Sequence, residues 1–110
     1  MYGTIMRAKL KPGKKADYLA FLNGLLPSAD DYGQGFHSAE LAYEDKDPDR
    51  VVAIIHFRDR QSYLANAERP ETNTDYERQK EFFDGDVEWI DLNYEAYMGK
   101  PIGEEASTRA

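Results

Sequence analysis

The segment Val51-Val52-Ala53-Ile54-Ile55-His56-Phe57 is apolar on both of its alternating phases. Side chains on a strand point to opposite faces of the sheet in turn. Val51, Ala53, Ile55 and Phe57 therefore share one face, and Val52 and Ile54 the other. A strand apolar on both faces must be covered on both. The rest of the chain supplies helices for about one face, so the pattern predicts that a second copy of the chain covers the other.

Other segments alternate more simply. Tyr2 to Leu10 reads as a strand that Pro12-Gly13 breaks, as turn residues do. From Lys14 to Leu26, Tyr18, Leu19, Leu22, Leu25 and Leu26 recur at three- and four-residue steps, which predicts a helix stopped by Pro27. Ser28 to Gly35 is a predicted loop. Phe36 to Glu44 is a second strand, with His37, Ala39, Leu41 and Tyr43 on one face and Phe36, Ser38, Glu40 and Ala42 on the other. The polar turn Asp45-Lys46-Asp47-Pro48-Asp49 predicts a hairpin into the apolar third strand.

Asp59 is placed to cap a second helix bearing Tyr63, Leu64 and Ala67. Arg69 to Asn73 is expected to interrupt that helix, which resumes over about Asp75 to Phe83 and ends at Asp84-Gly85. Val87 to Met98 reads as the last strand. Ile90, Leu92, Tyr94, Ala96 and Met98 form its apolar phase, and Trp89, Asp91 and Asn93 share the other. The order strand, helix, strand, strand, helix, strand predicts the α+β, ferredoxin-like βαββαβ fold. That is a four-stranded antiparallel sheet with two helices on one face and with the first and third strands central. A single domain over residues 1–98 and a flexible C-terminal tail over 99–110 are expected.

Composition narrows the function. The 110 residues carry 21 acidic and 14 basic side chains, a net charge of -7. That balance argues against nucleic acid as a partner, because phosphate contacts need Lys and Arg. Cysteine is absent, which removes thiolate chemistry and Cys-based metal sites. Two histidines, His37 and His56, are too few for a His-rich metal centre. No apolar run approaches the roughly 20 residues that span a membrane, and no secretory leader pattern opens the chain. A cytoplasmic protein without membrane contact is the expectation.

Several short stretches resemble one family. Lys11-Pro12-Gly13-Lys14, Gly35-Phe36-His37-Ser38, Phe57-Arg58-Asp59-Arg60-Gln61-Ser62-Tyr63, Ala65-Asn66-Ala67-Glu68-Arg69-Pro70-Glu71 and Trp89-Ile90-Asp91 resemble, in order and spacing, the antibiotic-biosynthesis monooxygenases, which are dimeric α+β barrels. The likeness runs over roughly residues 1–98. It implies a homodimer packed through its sheet faces and a pocket between sheet and helices. It also implies oxidation of a small aromatic, polyketide or quinol compound by dioxygen with no cofactor. The family's haem-degrading branch uses an Asn, a Trp and a His at positions that here hold Met6, Phe57 and about Ala67, so haem is not expected. Leu92 stands where the family's Trp-x-Asp-Gly pattern has Gly, which predicts that the last strand runs on unbroken.

Such chemistry needs a base near neutral pH, donors for a developing oxyanion and a dry aromatic pocket. His56 and His37 are the candidate bases. Phe57, Trp89, Asp91, Asn93 and Tyr43 are the candidate substrate contacts. The plainer reading makes each histidine a hydrogen-bonded residue at a sheet margin or dimer face. It also puts Trp89 in the dimer core, with Asp91 and Asn93 at its rim. Two functions follow: a cofactor-independent monooxygenase, or a non-catalytic dimeric barrel that binds a small hydrophobic ligand. An isomerase or lyase on the same scaffold is a third.

Overall fold

The computed structural model describes residues 1–25, 29–96 and 98–99. Its elements run β1 (Tyr2–Lys9), α1 (Lys15–Asn23), α2 (Ala29–Gly33), β2 (Phe36–Glu44), β3 (Asp47–Phe57), α3 (Arg60–Ala67), α4 (Pro70–Lys80) and β4 (Glu88–Asn93). The sheet order is β2-β3-β1-β4, and every neighbouring pair is antiparallel. This is the ferredoxin-like α+β arrangement with β1 and β3 central, as the alternation predicts.

Register divides the sheet into two faces. Tyr2, Thr4, Met6 and Ala8 of β1 lie opposite Phe57, Ile55, Ala53 and Val51 of β3. Asn93, Asp91 and Trp89 of β4 lie opposite Tyr2, Thr4 and Met6. This face meets the helices: Met6, Ala8, Leu10 and Val51 pack with Tyr18 of α1 and with Phe83 in the buried core. The opposite, open face presents Ile5, Val52, Ile54, Ile90 and Leu92. Ile90 is 45% exposed there. β3 is thus apolar toward both faces, as expected.

Several boundaries differ from expectation, each for a local reason. The turn between β2 and β3 is only Asp45-Lys46, and β3 starts at Asp47 rather than Val51. β1 draws it out: Lys9 pairs with Arg50, and the Leu10 N–H donates to the Asp49 carbonyl at 2.7 Å. The predicted loop Ser28 to Gly35 contains the short helix α2. Helix α1 ends at Asn23; the predicted continuation to Leu26 falls outside the described residues at Leu26. Pro70 starts α4 instead of interrupting it, because a proline at the first helical position forfeits only an N–H that has no partner there anyway. Asp59 caps α3 as predicted, accepting the Ser62 N–H at 2.7 Å.

β4 stays regular through Leu92, which pairs with Gly3, but it stops at Asn93 rather than Met98. Asn93 already faces Tyr2, the first residue of β1, and the Tyr94 N–H takes the carbonyl of Met1. The β1–β4 ladder ends at the Tyr2–Asn93 pair. The tail expected over 99–110 lies outside the described residues from residue 100 onward. Among the described residues no helix is long and apolar enough to cross a membrane.

Candidate active site

A cleft of about 1080 Å³ lies between the helices and the sheet. Its lining is mixed, with the aromatic side chains of Tyr18, Phe36, Phe57, Tyr63, Tyr76 and Trp89 among aliphatic and polar ones. Phe57 anchors one end: its ring centroid is 5.4 Å from Tyr63 and 6.0 Å from Phe36, both edge-on. At the other end Trp89 lies 5.6 Å from the Tyr76 ring, and its indole N–H reaches the Tyr76 hydroxyl at 3.4 Å.

Two hydrogen-bonded clusters lie in or against these walls, among other polar lining residues. At the floor, the Gln79 amide donates to the Tyr18 hydroxyl at 2.8 Å and approaches the Met6 sulfur at 3.7 Å. Burial pushes the Tyr18 phenol up to about 12, against the Gln79 hydrogen bond, which lowers it; nearby Tyr43 raises it further. Beside β4, Asp91 Oδ1 accepts from the Thr4 hydroxyl at 2.9 Å and from the Tyr63 hydroxyl at 3.1 Å. The Tyr63 phenol is raised first by burial and then by its bond to the Asp91 carboxylate. At the mouth, Arg69 Nη1 lies 2.7 Å from Asp31 Oδ1. A second depression, of about 320 Å³, has a polar lining that includes Arg58, Asp59 and Ser62, with no aromatic wall.

The residues singled out from sequence divide between places. Phe57 and Trp89 line the cleft, and Asp91 stands behind Thr4 and Tyr63, which also line it. Trp89 therefore belongs to the helix side, not to the open face. Asn93 shares its face but sits at the strand end opposite Tyr2, outside the cleft lining. Tyr43 is packed against the core under the Lys15 ammonium, 3.9 Å from its ring centroid, and does not line the cleft.

The two histidines part company. The β2–β3 register slips between Phe36 and Ser38, leaving His37 as the extra residue. The slip moves Phe36 onto the helix face against Phe57, off the face expected for it, and sets His37 at the cleft rim. His37 is exposed there, with Nδ1 2.8 Å from the Ser38 hydroxyl. His56 points to the open face, away from Phe57, its neighbour in sequence. The two imidazoles stay 6.5 Å apart, edge to face.

Gln79, Tyr76 and Thr4 were not anticipated. Gln79 and Tyr76 lie on α4, a mostly polar helix whose pattern carries no apolar stripe to orient it. Among the described residues no cluster of three or more His, Cys, Asp or Glu side chains could hold a metal ion. The chemistry available is that of an acceptor, several phenols, an amide donor and a rim imidazole around an aromatic space.

No family model matches the chain, and no curated protein matches it. Solved structures do. An antibiotic biosynthesis monooxygenase superposes with a TM-score of 0.69 at 15% identity, covering 87% of this chain and 100% of the other. SnoaB, a cofactor-independent oxygenase from Streptomyces nogalater, gives 0.71 at 13% identity, with 90% and 97% covered. A conserved protein from Methanosarcina mazei Go1 gives 0.71 at 12% identity, with 86% and 92% covered. Identity this low speaks for architecture and not for substrate: the chain has the fold of the antibiotic biosynthesis monooxygenases.

Proposed function

We propose that the chain is a cofactor-independent monooxygenase acting on a small aromatic, polyketide or quinol compound held in the helix-side cleft. The observation that carries this reading is a cleft lined by Tyr18, Phe57, Tyr63 and Trp89, with the Asp91 carboxylate behind its wall accepting from the Thr4 and Tyr63 hydroxyls. A planar ring carrying a hydroxyl suits both parts: the walls stack on the ring, and polar groups bond its hydroxyl. The fold shared with SnoaB supports the reaction class.

In this reading His37 is the base, since it is the histidine that lines the cleft. It removes a phenolic proton, and the electron-rich anion then reduces dioxygen. Dioxygen is the oxidant: a ring CH2 becomes C=O, and the second oxygen atom leaves as water. Gln79, whose second N–H meets only the Met6 sulfur at 3.7 Å, is the amide donor open to the developing oxyanion. The test is oxygen uptake with an anthrone, which bears such a ring CH2. Turnover that stops without oxygen supports the proposal. Tight binding with no oxygen uptake favours the alternative, a non-catalytic barrel binding a small hydrophobic ligand, which the apolar Met6 and Phe57 in the cleft also suit.

We further infer that two copies pair through their open sheet faces. The support is the apolar row Ile5, Val52, Ile54, Ile90 and Leu92 on a sheet whose other face the helices already cover. Sedimentation equilibrium is expected to return twice the chain mass at micromolar concentration. A folded monomer there removes this inference.

A further inference from the structure

His56 is held from two sides on the open face. Glu40 of β2 presents its carboxylate to Nε2, with Oε1 at 3.1 Å and Oε2 at 2.9 Å. The Tyr94 hydroxyl lies 3.0 Å from Nδ1. A carboxylate only accepts, so Nε2 carries the proton, and Nδ1 of the neutral ring accepts from Tyr94. Tyr94 reaches His56 by lying across β1 at Gly3. A Cβ there would come within 2.7 Å of the Ile55 carbonyl and 3.0 Å of the Tyr94 ring and hydroxyl. Three strands and the segment after β4 thus converge on one imidazole, whose side chain is 16% exposed.

The other charges of this face have partners of their own. Arg7 bridges Glu44 at 3.2 Å and Glu88 at 3.3 Å; Arg50 lies 3.5 Å from Glu44, and Lys9 3.4 Å from Asp47. Among the described residues His37 on β2 and Met1, whose carbonyl accepts the Tyr94 N–H, also lie near. Among the described residues Glu40 has one ion-pair partner, His56, and its buried Oε2 has no hydrogen bond. With His56 neutral, Glu40 leaves a negative charge that no other ion pair among the described residues matches. With His56 protonated, the two form a neutral pair.

We propose that Glu40, His56 and Tyr94 form a protonation site that sets how tightly a second copy docks on this face, docking being tighter when His56 carries a proton. This rests on the self-association read above. Covering the face removes water from Glu40, and a buried lone carboxylate costs far more than a buried neutral pair. Docking therefore raises the proton affinity of His56, and by linkage the bound proton tightens docking. A two-fold dimer buries two such sites.

The experiment is sedimentation equilibrium of the full chain between pH 5.5 and 7.5, the range in which a histidine changes charge. The dimer Kd is expected to rise at least about tenfold over that range, an average slope of log Kd against pH of at least about 0.5. His56→Gln flattens the slope, whereas His37→Gln keeps it. Glu40→Gln reverses its sign, because the protonated ring then becomes the lone buried charge. Circular dichroism confirms the fold at each pH. A wild-type dimer with a flat or opposite slope overturns the switch alone, as does a slope that follows His37 or persists in His56→Gln. A monomer at every pH overturns the dimer inference and the switch together.

Discussion

Tyr18 permits a prediction worked from numbers. Its ring is inaccessible to solvent, and burial raises its phenol from 10.0 to about 12. The folded state therefore holds the proton over a range in which the unfolded chain releases it. A group raised on folding contributes stability that is complete below its unfolded value and is lost as pH climbs through its folded value. Between pH 9 and pH 11 the loss from this one group comes to about 1.3 kcal/mol. Tyr18→Phe has no such proton. The variant gives up the Gln79 hydrogen bond, worth about 1 kcal/mol near neutrality. Urea unfolding at pH 7, 9, 10 and 11 should thus find wild type ahead by about 1 kcal/mol at pH 7 and 9, with that lead gone near pH 11. The difference between the two proteins isolates the Tyr18 proton together with its coupling to Tyr43. Two curves that stay parallel to pH 11 refute the claim that Tyr18 is buried as a neutral phenol.

Three further outcomes follow from the same geometry. His37→Ala should lower turnover of an anthrone by about 10²-fold or more, the ordinary worth of a general base, while His56→Ala, on the other face, leaves single-turnover chemistry within about threefold; equal losses in both would undo the assignment of His37. Gly35→Ala should destabilise the fold by about 2–5 kcal/mol in urea, since Gly35 sits at φ +99° and a Cβ would run into the Ser62 side chain; a cost under about 1 kcal/mol means the α3 start yields easily. Asp59→Ala should lower Tm at neutral pH and flatten the acid limb: the Ser62 backbone bond holds the Asp59 carboxyl below its ordinary value, so its contribution is present above that value and fades as pH falls through the folded one.

What was legible in the chain, and what was not, follows from which physics decides each feature. Strand order and sheet faces are set by alternation, and alternation is local, so β3 announced its two apolar faces before any partner strand was known. The same logic placed Trp89, Asp91 and Asn93 together. It failed at His37, because a bulge is set by pairing with β3 and leaves no mark in the alternation of β2 itself. Phe36 was put on the wrong face for that reason. The far end of β4 failed similarly: Tyr94, Ala96 and Met98 continue the apolar phase, yet β1 ends at Tyr2 and gives them nothing to pair with. Gln79 was invisible because one amide on a polar helix gains meaning only when the helix is seen to set it over Tyr18.

His56 and Phe57 carry the functional argument between them. They are consecutive on β3, so the pleat sends one to the open face and the other to the cleft. Each face then receives what its surroundings can tolerate. Toward the helices, Phe57 packs edge-on against Tyr63 and Phe36 in the cleft wall. Toward the open face, His56 sits where apolar neighbours make the charge of Glu40 costly unless it is matched. A base for phenol chemistry is of no use behind the sheet that separates it from the substrate, and a protonation switch for docking is of no use inside the cleft. On the proposed reading the two histidines take different tasks: His37, set at the cleft rim by its bulge, serves a ligand, and His56, turned to the open face, serves a second copy.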